Sequence, residues 1–192
     1  MTQSKPNPIE LYESAVHFMQ PIIAGVKPSQ LTASTPCTEW NVQALLNHNI
    51  KGAQYVQGII TAGPAKVNPM EVSGALPREG AAAAFSSGTA AVLAALKQSG
   101  ALEKVVTTPL GQMPVSQFIM FPILDIFVHK WDLAKATNQN TSLDASLSQV
   151  CYNVVQMAAE QGRKMGVFGP EVKVPISATI QNKLLALSGR KP

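Results

Sequence analysis

Asp125 and His129 stand four residues apart in the run ILDIFVHKW, and Asp132 follows three residues later. Positions i and i+4 of an α-helix project from one face, with roughly 5–6 Å between their Cβ atoms. A carboxylate and an imidazole so placed can share one metal ion. The surrounding residues are almost wholly apolar, and a carboxylate buried among apolar side chains is costly unless it finds a partner. A divalent cation would satisfy both groups at once. A further imidazole, His48, lies in ALLNHNIKG, where Leu45 and Leu46 put it near the inward side of its own helix. One ligand from one helix and an i, i+4 pair from another is a recurring way to build a site inside a bundle. Two imidazoles and one carboxylate leave a coordination position for water or substrate, as catalytic centres do.

On spacing alone such a pair is more often a surface ion pair, or a hydrogen bond that merely orients some other ligand, than a metal site. Glu13 and His17 have the same i, i+4 separation, but Glu10, Ser14 and Gln20 around them are polar, so that pair reads as a solvated helix face. Nothing in the spacing joins His48 to Asp125 and His129.

The elements that must position these residues are helices. Asn7 can cap a first helix, with Pro8 at its first position and Leu11, Ala15, Phe18, Ile22 and Ile23 on one apolar face. Asn41 can cap a second helix that carries His48 and ends near Ile60, with Trp40 packed on Leu45. Residues 61–77, rich in Pro and Gly, read as a loop. A third helix spans about Glu79 to Lys97, with Gly88 allowing close packing. KVVTTPLGQMPV predicts short extended segments around a glycine turn. Ser116 can cap the fourth helix, in which Pro122 predicts a kink or a broken first turn. A fifth helix runs from about Asp144 to Met165, and the tail is an extended segment with one short helix.

Composition limits the function classes. The 192 residues are 46% hydrophobic and 14% charged, enough for one buried core, and the net charge of +4 is scattered rather than gathered in a basic patch. Nucleic acid is therefore not an expected partner. The polar N-terminus lacks an apolar signal core, and no apolar run reaches the roughly 20 residues needed to span a bilayer. Cys37 and Cys151 are far apart and in no CxxC spacing, which fits thiols in a reducing cytoplasm.

Three stretches add a family resemblance: STPCTEWNVQALLNH at 34–48, DIFVHKWDLAKATNQ at 125–139 and VFGPEVKVPISATIQNKLLALSGRKP at 167–192. In this order they resemble the DinB-like metal-binding superfamily, in the branch related to the N-terminal domain of mycothiol-dependent maleylpyruvate isomerase. The resemblance implies an all-α, DinB/YfiT-like four-helix bundle over 1–192, a single domain with an additional short helix and minor extended segments. It implies one divalent metal ion held by His48, Asp125 and His129, with zinc or nickel favoured by the imidazole-rich set. In many relatives histidine replaces Asp125, and in the isomerase glutamate does. The shorter aspartate reaches less far, so affinity or metal choice is expected to differ.

Asp132 belongs to the family pattern, either as a structural anchor or as an acceptor that orients His129 or His48. Trp40 and Trp131 are expected to pack in the core, and Cys37 to act as a small buried hydrophobe, although a thiol near a helix N-terminus can have a lowered pKa. The activity implied is that of a thiol-dependent transferase or isomerase acting on a small molecule, with a low-molecular-weight thiol at the metal. Alternatives are hydrolysis by metal-activated water and a non-catalytic bundle that binds a ligand or forms a homodimer. The isomerase carries a further domain not found in this sequence, which argues against that particular reaction.

Overall fold

In the computed structural model, residues 7–61 and 67–192 are described. The chain forms two compact units, Met1–Gln139 and Asn140–Pro192. The first contains α1 (Pro8–Ala24), α2 (Val42–Thr61), α3 (Ala81–Leu96), the strands β1 (Val105–Thr108) and β2 (Gly111–Pro114), the single-turn α4 (Val115–Phe118) and α5 (Met120–Ala136). α1 and α2 each pack against both α3 and α5, which closes a four-helix ring. The expected bundle is thus built inside the first unit.

Local chemistry sets the helix starts. Asn7 Oδ1 accepts from the Ile9 N–H at 3.0 Å, with Pro8 following at the first helical position. Asn41 Oδ1 accepts from the Ala44 N–H at 2.9 Å and opens α2 as expected. The buried face of α1 is rotated from the expected one: Tyr12, Val16 and Met19 point inward beside Ala15, Ile22 and Ile23, while Leu11 and Phe18 are only half-buried. Burial of each large apolar side chain contributes about 1.5–3 kcal/mol, so the long Tyr and Met side chains decide the rotation. Gly88 behaves as its sequence suggests, since a Cβ there would lie 3.0 Å from the Ala53 Cβ of α2.

The expected break around Pro122 is present but sits earlier. The helix interrupts at Ile119, leaving α4 as one isolated turn, and Pro122 falls in the first turn of α5, where its missing N–H costs nothing. Pro114 rather than Ser116 occupies the cap position of α4, because the chain arrives there from β2 in extended conformation. β1 and β2 pair antiparallel, with Val106 opposite Met113 and Gly111 at φ 102° closing the turn. From Ile123 to Ala134 α5 is buried on all sides except at Asp125.

The second unit contains α6 (Ala145–Lys164) and α7 (Ile180–Leu187), which pack on each other. Asp144 caps α6 by accepting from the Leu147 N–H at 2.8 Å, and Thr179 caps α7. Arg163 ties the pair by donating to the Leu187 carbonyl. Gly189, at φ 87°, crosses Gly169 so closely that a Cβ would lie 2.8 Å from the Gly169 Cα. The glycines of the 167–192 stretch are therefore explained by backbone packing. No helix among the described residues is long and apolar enough to cross a membrane.

Candidate metal centre

α2 supplies His48, and α5 supplies Asp125, His129 and Asp132. His48 Nε2 lies 3.0 Å from Asp125 Oδ2, and His129 Nε2 lies 3.3 Å from Asp125 Oδ1. The imidazoles meet edge to face with ring centroids 5.0 Å apart. One donor atom from each of His48, Asp125 and His129 falls within 4.8 Å of the others. Both imidazoles are buried, whereas the Asp125 side chain is 41% exposed, so the cluster opens to solvent on its carboxylate side.

The far nitrogens fix what the near ones present. His48 Nδ1 is 3.0 Å from the Pro69 carbonyl oxygen, which can only accept, so Nδ1 carries a proton. His129 Nδ1 is 2.9 Å from Asp132 Oδ2, inside a fully buried carboxylate, and donates to it. Each imidazole therefore turns its Nε2 lone pair, or a second proton, toward Asp125. A single cation between them, or protonation of the rings, resolves that convergence. In the metal-free protein burial disfavours charge on Asp125, but the charges of His129 and His48 and their hydrogen bonds hold its carboxyl well below the usual carboxylate range. Burial likewise opposes charge on His129, yet the Asp125 charge and hydrogen bonds to Asp125, Asp132 and Cys37 raise it well above the usual histidine range.

Three further features border the cluster. Cys37 is half-buried, with Sγ 3.2 Å from Asp132 Oδ2 and 3.8 Å from His129 Nδ1, so it is not the core filler expected from its sequence. Trp40 also departs from a pure packing role: its ring lies 4.6 Å from that of His48 and 5.9 Å from that of His129. Thr35 holds both in place, accepting from the Cys37 N–H at 3.1 Å and donating to the Trp40 carbonyl at 2.7 Å. Cys37, His129 and Asp132 form a second close cluster that shares His129 with the first. Trp131 keeps the expected core position, with Lys135 Nζ 4.4 Å from its ring centroid. The third feature is the segment after α2, whose carbonyls α2 holds. Asn47 donates to Val72 and Gly74, Gln43 to Gly74, and Lys51 to Glu71.

Asp132 takes the orienting role toward His129, one of the two roles open to it in the sequence. Glu13 pairs with Lys97 at 2.6 Å and His17 is exposed, in keeping with a solvated helix face. The participation of Cys37 and Trp40 had only one local signal, their place in the TPCTEW motif just before the His48 helix.

Residues 12–134 match the family described as mycothiol maleylpyruvate isomerase N-terminal domain. The chain belongs to this family. The matched span contains His48, Asp125, His129 and Asp132. An uncharacterized protein of Mycobacterium tuberculosis, found in strains H37Rv and CDC 1551, is 30% identical over 169 residues, covering 88% of this chain and 84% of the relative. The crystal structure of the mycothiol-dependent maleylpyruvate isomerase superposes with a TM-score of 0.58 at 13% identity, over 96% of this chain and 79% of that one. A histidine-to-alanine mutant of that isomerase gives 0.56 at 15% identity. At these identities the superpositions establish a shared fold, and with it the DinB-like helical architecture.

Proposed function

We propose that His48, Asp125 and His129 hold one divalent metal ion, zinc or nickel, in an enzyme of the thiol-dependent transferase or isomerase type acting on a small molecule. The observation that carries this reading is the commitment of both Nδ1 atoms, to Pro69 and to Asp132, which leaves both Nε2 atoms converging on one carboxylate. That donor set fits a borderline divalent cation with at least one position left for an exogenous ligand. A bound ion would supply Lewis acidity, lowering the pKa of a thiol or water beside it.

The protein's own residues do the rest. Asp132 keeps the proton on His129 Nδ1 and so preserves the Nε2 lone pair as a donor. The Pro69 carbonyl does the same for His48. Trp40 covers one side of the imidazoles and limits water there, and the exposed side of Asp125 is the approach for a small molecule. A low-molecular-weight thiol as co-substrate is favoured by the family, whose isomerase is mycothiol-dependent by name. Hydrolysis by activated water has weaker support, because Asp132, the nearest spare carboxylate, is fully buried and occupied by His129.

The test is metal analysis of protein purified without an immobilised-metal column, followed by a screen of thiols against electrophilic substrates. About one equivalent of zinc or nickel per chain is expected, as for a single three-ligand centre. Turnover should require the thiol. Turnover of ester or amide probes without thiol would favour the hydrolase, and absence of stoichiometric metal would remove the metalloenzyme.

A further inference from the structure

Asp132 Oδ2 accepts from two donors among the described residues. His129 Nδ1–H reaches it at 2.9 Å and the Cys37 thiol at 3.2 Å, with Sγ and Nδ1 only 3.8 Å apart. The carboxylate is fully buried, so its hydrogen bonds act in a low dielectric, where they are strongest. Two donors on one oxygen compete: each draws electron density that the other would otherwise receive. The geometry points to Cys37 as a positioning residue that tunes the electron donation of His129 by holding back Asp132. This inference rests on the metal-centre reading above.

The sign of the effect is set by the shorter contact: Sγ lies 3.2 Å from Asp132 Oδ2 against 3.8 Å from His129 Nδ1, so the thiol acts on His129 chiefly through the carboxylate and only weakly by the direct contact that raises the imidazole. With the thiol in place, Asp132 pulls less on the Nδ1 proton, and His129 Nε2 is a weaker donor. A metal bound there is held less tightly and remains a stronger Lewis acid. Without the thiol, Asp132 pulls harder, Nε2 becomes more basic, the metal is held more tightly and activates its ligand less. Removing Cys37 should therefore tighten metal binding, the reverse of what loosening a structural contact would do. The loop geometry supports a dedicated placement: Cys37 is half-buried, and its N–H is anchored on Thr35 Oγ1.

The experiment compares Co²⁺ binding, by competition with a chromophoric chelator, in the parent protein, Cys37→Ala, Cys37→Ser and Asp132→Asn. Losing a carboxylate that orients a ligating histidine costs about 10–100-fold in affinity, which is the expectation for Asp132→Asn; the thiol, one contact further out, should give about a threefold to tenfold change of opposite sign in Cys37→Ala. Cys37→Ser, whose hydroxyl can also donate, should stay near the parent. Cys37→Ala that binds equally or more weakly overturns the inference while leaving the metal centre standing. A parent protein that binds no Co²⁺ overturns both.

A measurement on the unmutated chain guards against misfolding of the variants. The infrared S–H stretch of Cys37 should lie below that of Cys151, because its proton is donated to a carboxylate, and it should rise when metal binds and draws charge from Asp132. Coincident bands, or a Cys37 band indifferent to metal, would refute the relay. Labelling with Cys151→Ala assigns the two.

Discussion

His48 Nδ1 lies 3.0 Å from the Pro69 carbonyl oxygen, so the imidazole that faces Asp125 on one side tethers a backbone segment on the other. The tether is one of several. Gln43, Asn47, His48 and Lys51, at successive turns of α2, all donate to carbonyls between Pro69 and Gly74. The segment therefore reports on His48, and His48 on the segment.

That coupling separates two variants. His48→Ala removes a proposed ligand and should abolish the stabilisation by zinc, which for a single site amounts to about 2.7 kcal/mol at a free metal concentration of 100 Kd. Asn47→Ala cuts the bonds to Val72 and Gly74 but spares every proposed ligand, so zinc should still stabilise it, with a weakened affinity. Thermal melts over a zinc titration distinguish them. Equal zinc stabilisation of His48→Ala and the parent would place the metal elsewhere.

The metal-free protein should have a distinct pH profile. His129 is raised above its unfolded value near 6.5, so its contribution is full below that pH and is lost as pH rises through the folded value. Asp125 is lowered below its unfolded value of 3.8, so its contribution is present above that pH and lost as pH falls through the folded value. Between these limits the pair is fully stabilising, and the melting temperature in chelator should fall on the alkaline side. Zinc competes with protons for the imidazoles, so its own stabilisation should grow with pH. Melts in chelator and in zinc, run from about pH 5 upward along the alkaline limb on which the His129 contribution is lost, provide the check. Asp125→Asn should flatten the alkaline fall without metal; a slope as steep as the parent's would show that the pair is not its source.

The local parts of this site were legible in the sequence and the long-range parts were not. Caps at Asn7 and Asn41 depend on a few consecutive residues, and the face shared by Asp125 and His129 depends only on helix pitch. His48 meets Asp125 across 77 positions and Cys37 meets His129 across 92, and no periodicity encodes such a contact. Only the family pattern joined His48 to the pair. The same reason hid the roles of Trp40 and Cys37, whose loop is turned toward α5 by Thr35. Leu11 and Phe18 were misplaced on the α1 core face because Tyr12 and Met19 bury larger surfaces from the adjacent angle.

Gly88 offers a test of how far packing controls the site. Its missing Cβ lets α3 approach Ala53 of α2, the helix that carries His48. Gly88→Leu should overpack this contact and cost about 1–3 kcal/mol, more than the helix propensity gained over glycine. If α2 is displaced with it, Co²⁺ affinity should fall as well, although the substituted residue touches no proposed ligand. Chemical denaturation and chelator competition measure the two effects on one sample. A variant as stable as the parent would mean that α3 can move away freely.

Trp40 provides a reporter placed where the metal is proposed. Its ring is in contact distance of both imidazoles, while Trp131 is buried in the core under Lys135. Zinc held by His48 and His129 would place a compact divalent cation beside the Trp40 π-system, and indole interacts strongly with nearby cations. The zinc-dependent change in tryptophan fluorescence should therefore persist in Trp131→Phe and disappear in Trp40→Phe, with zinc still bound in both. Loss of the signal in Trp131→Phe alone would point to a metal site remote from His48. A thiol entering beside Asp125 should perturb the same signal only after zinc has been added, since its binding depends on the ion. A thiol response in chelator would instead indicate a pocket that binds thiols without metal, and the order of addition to a single cuvette decides between the two.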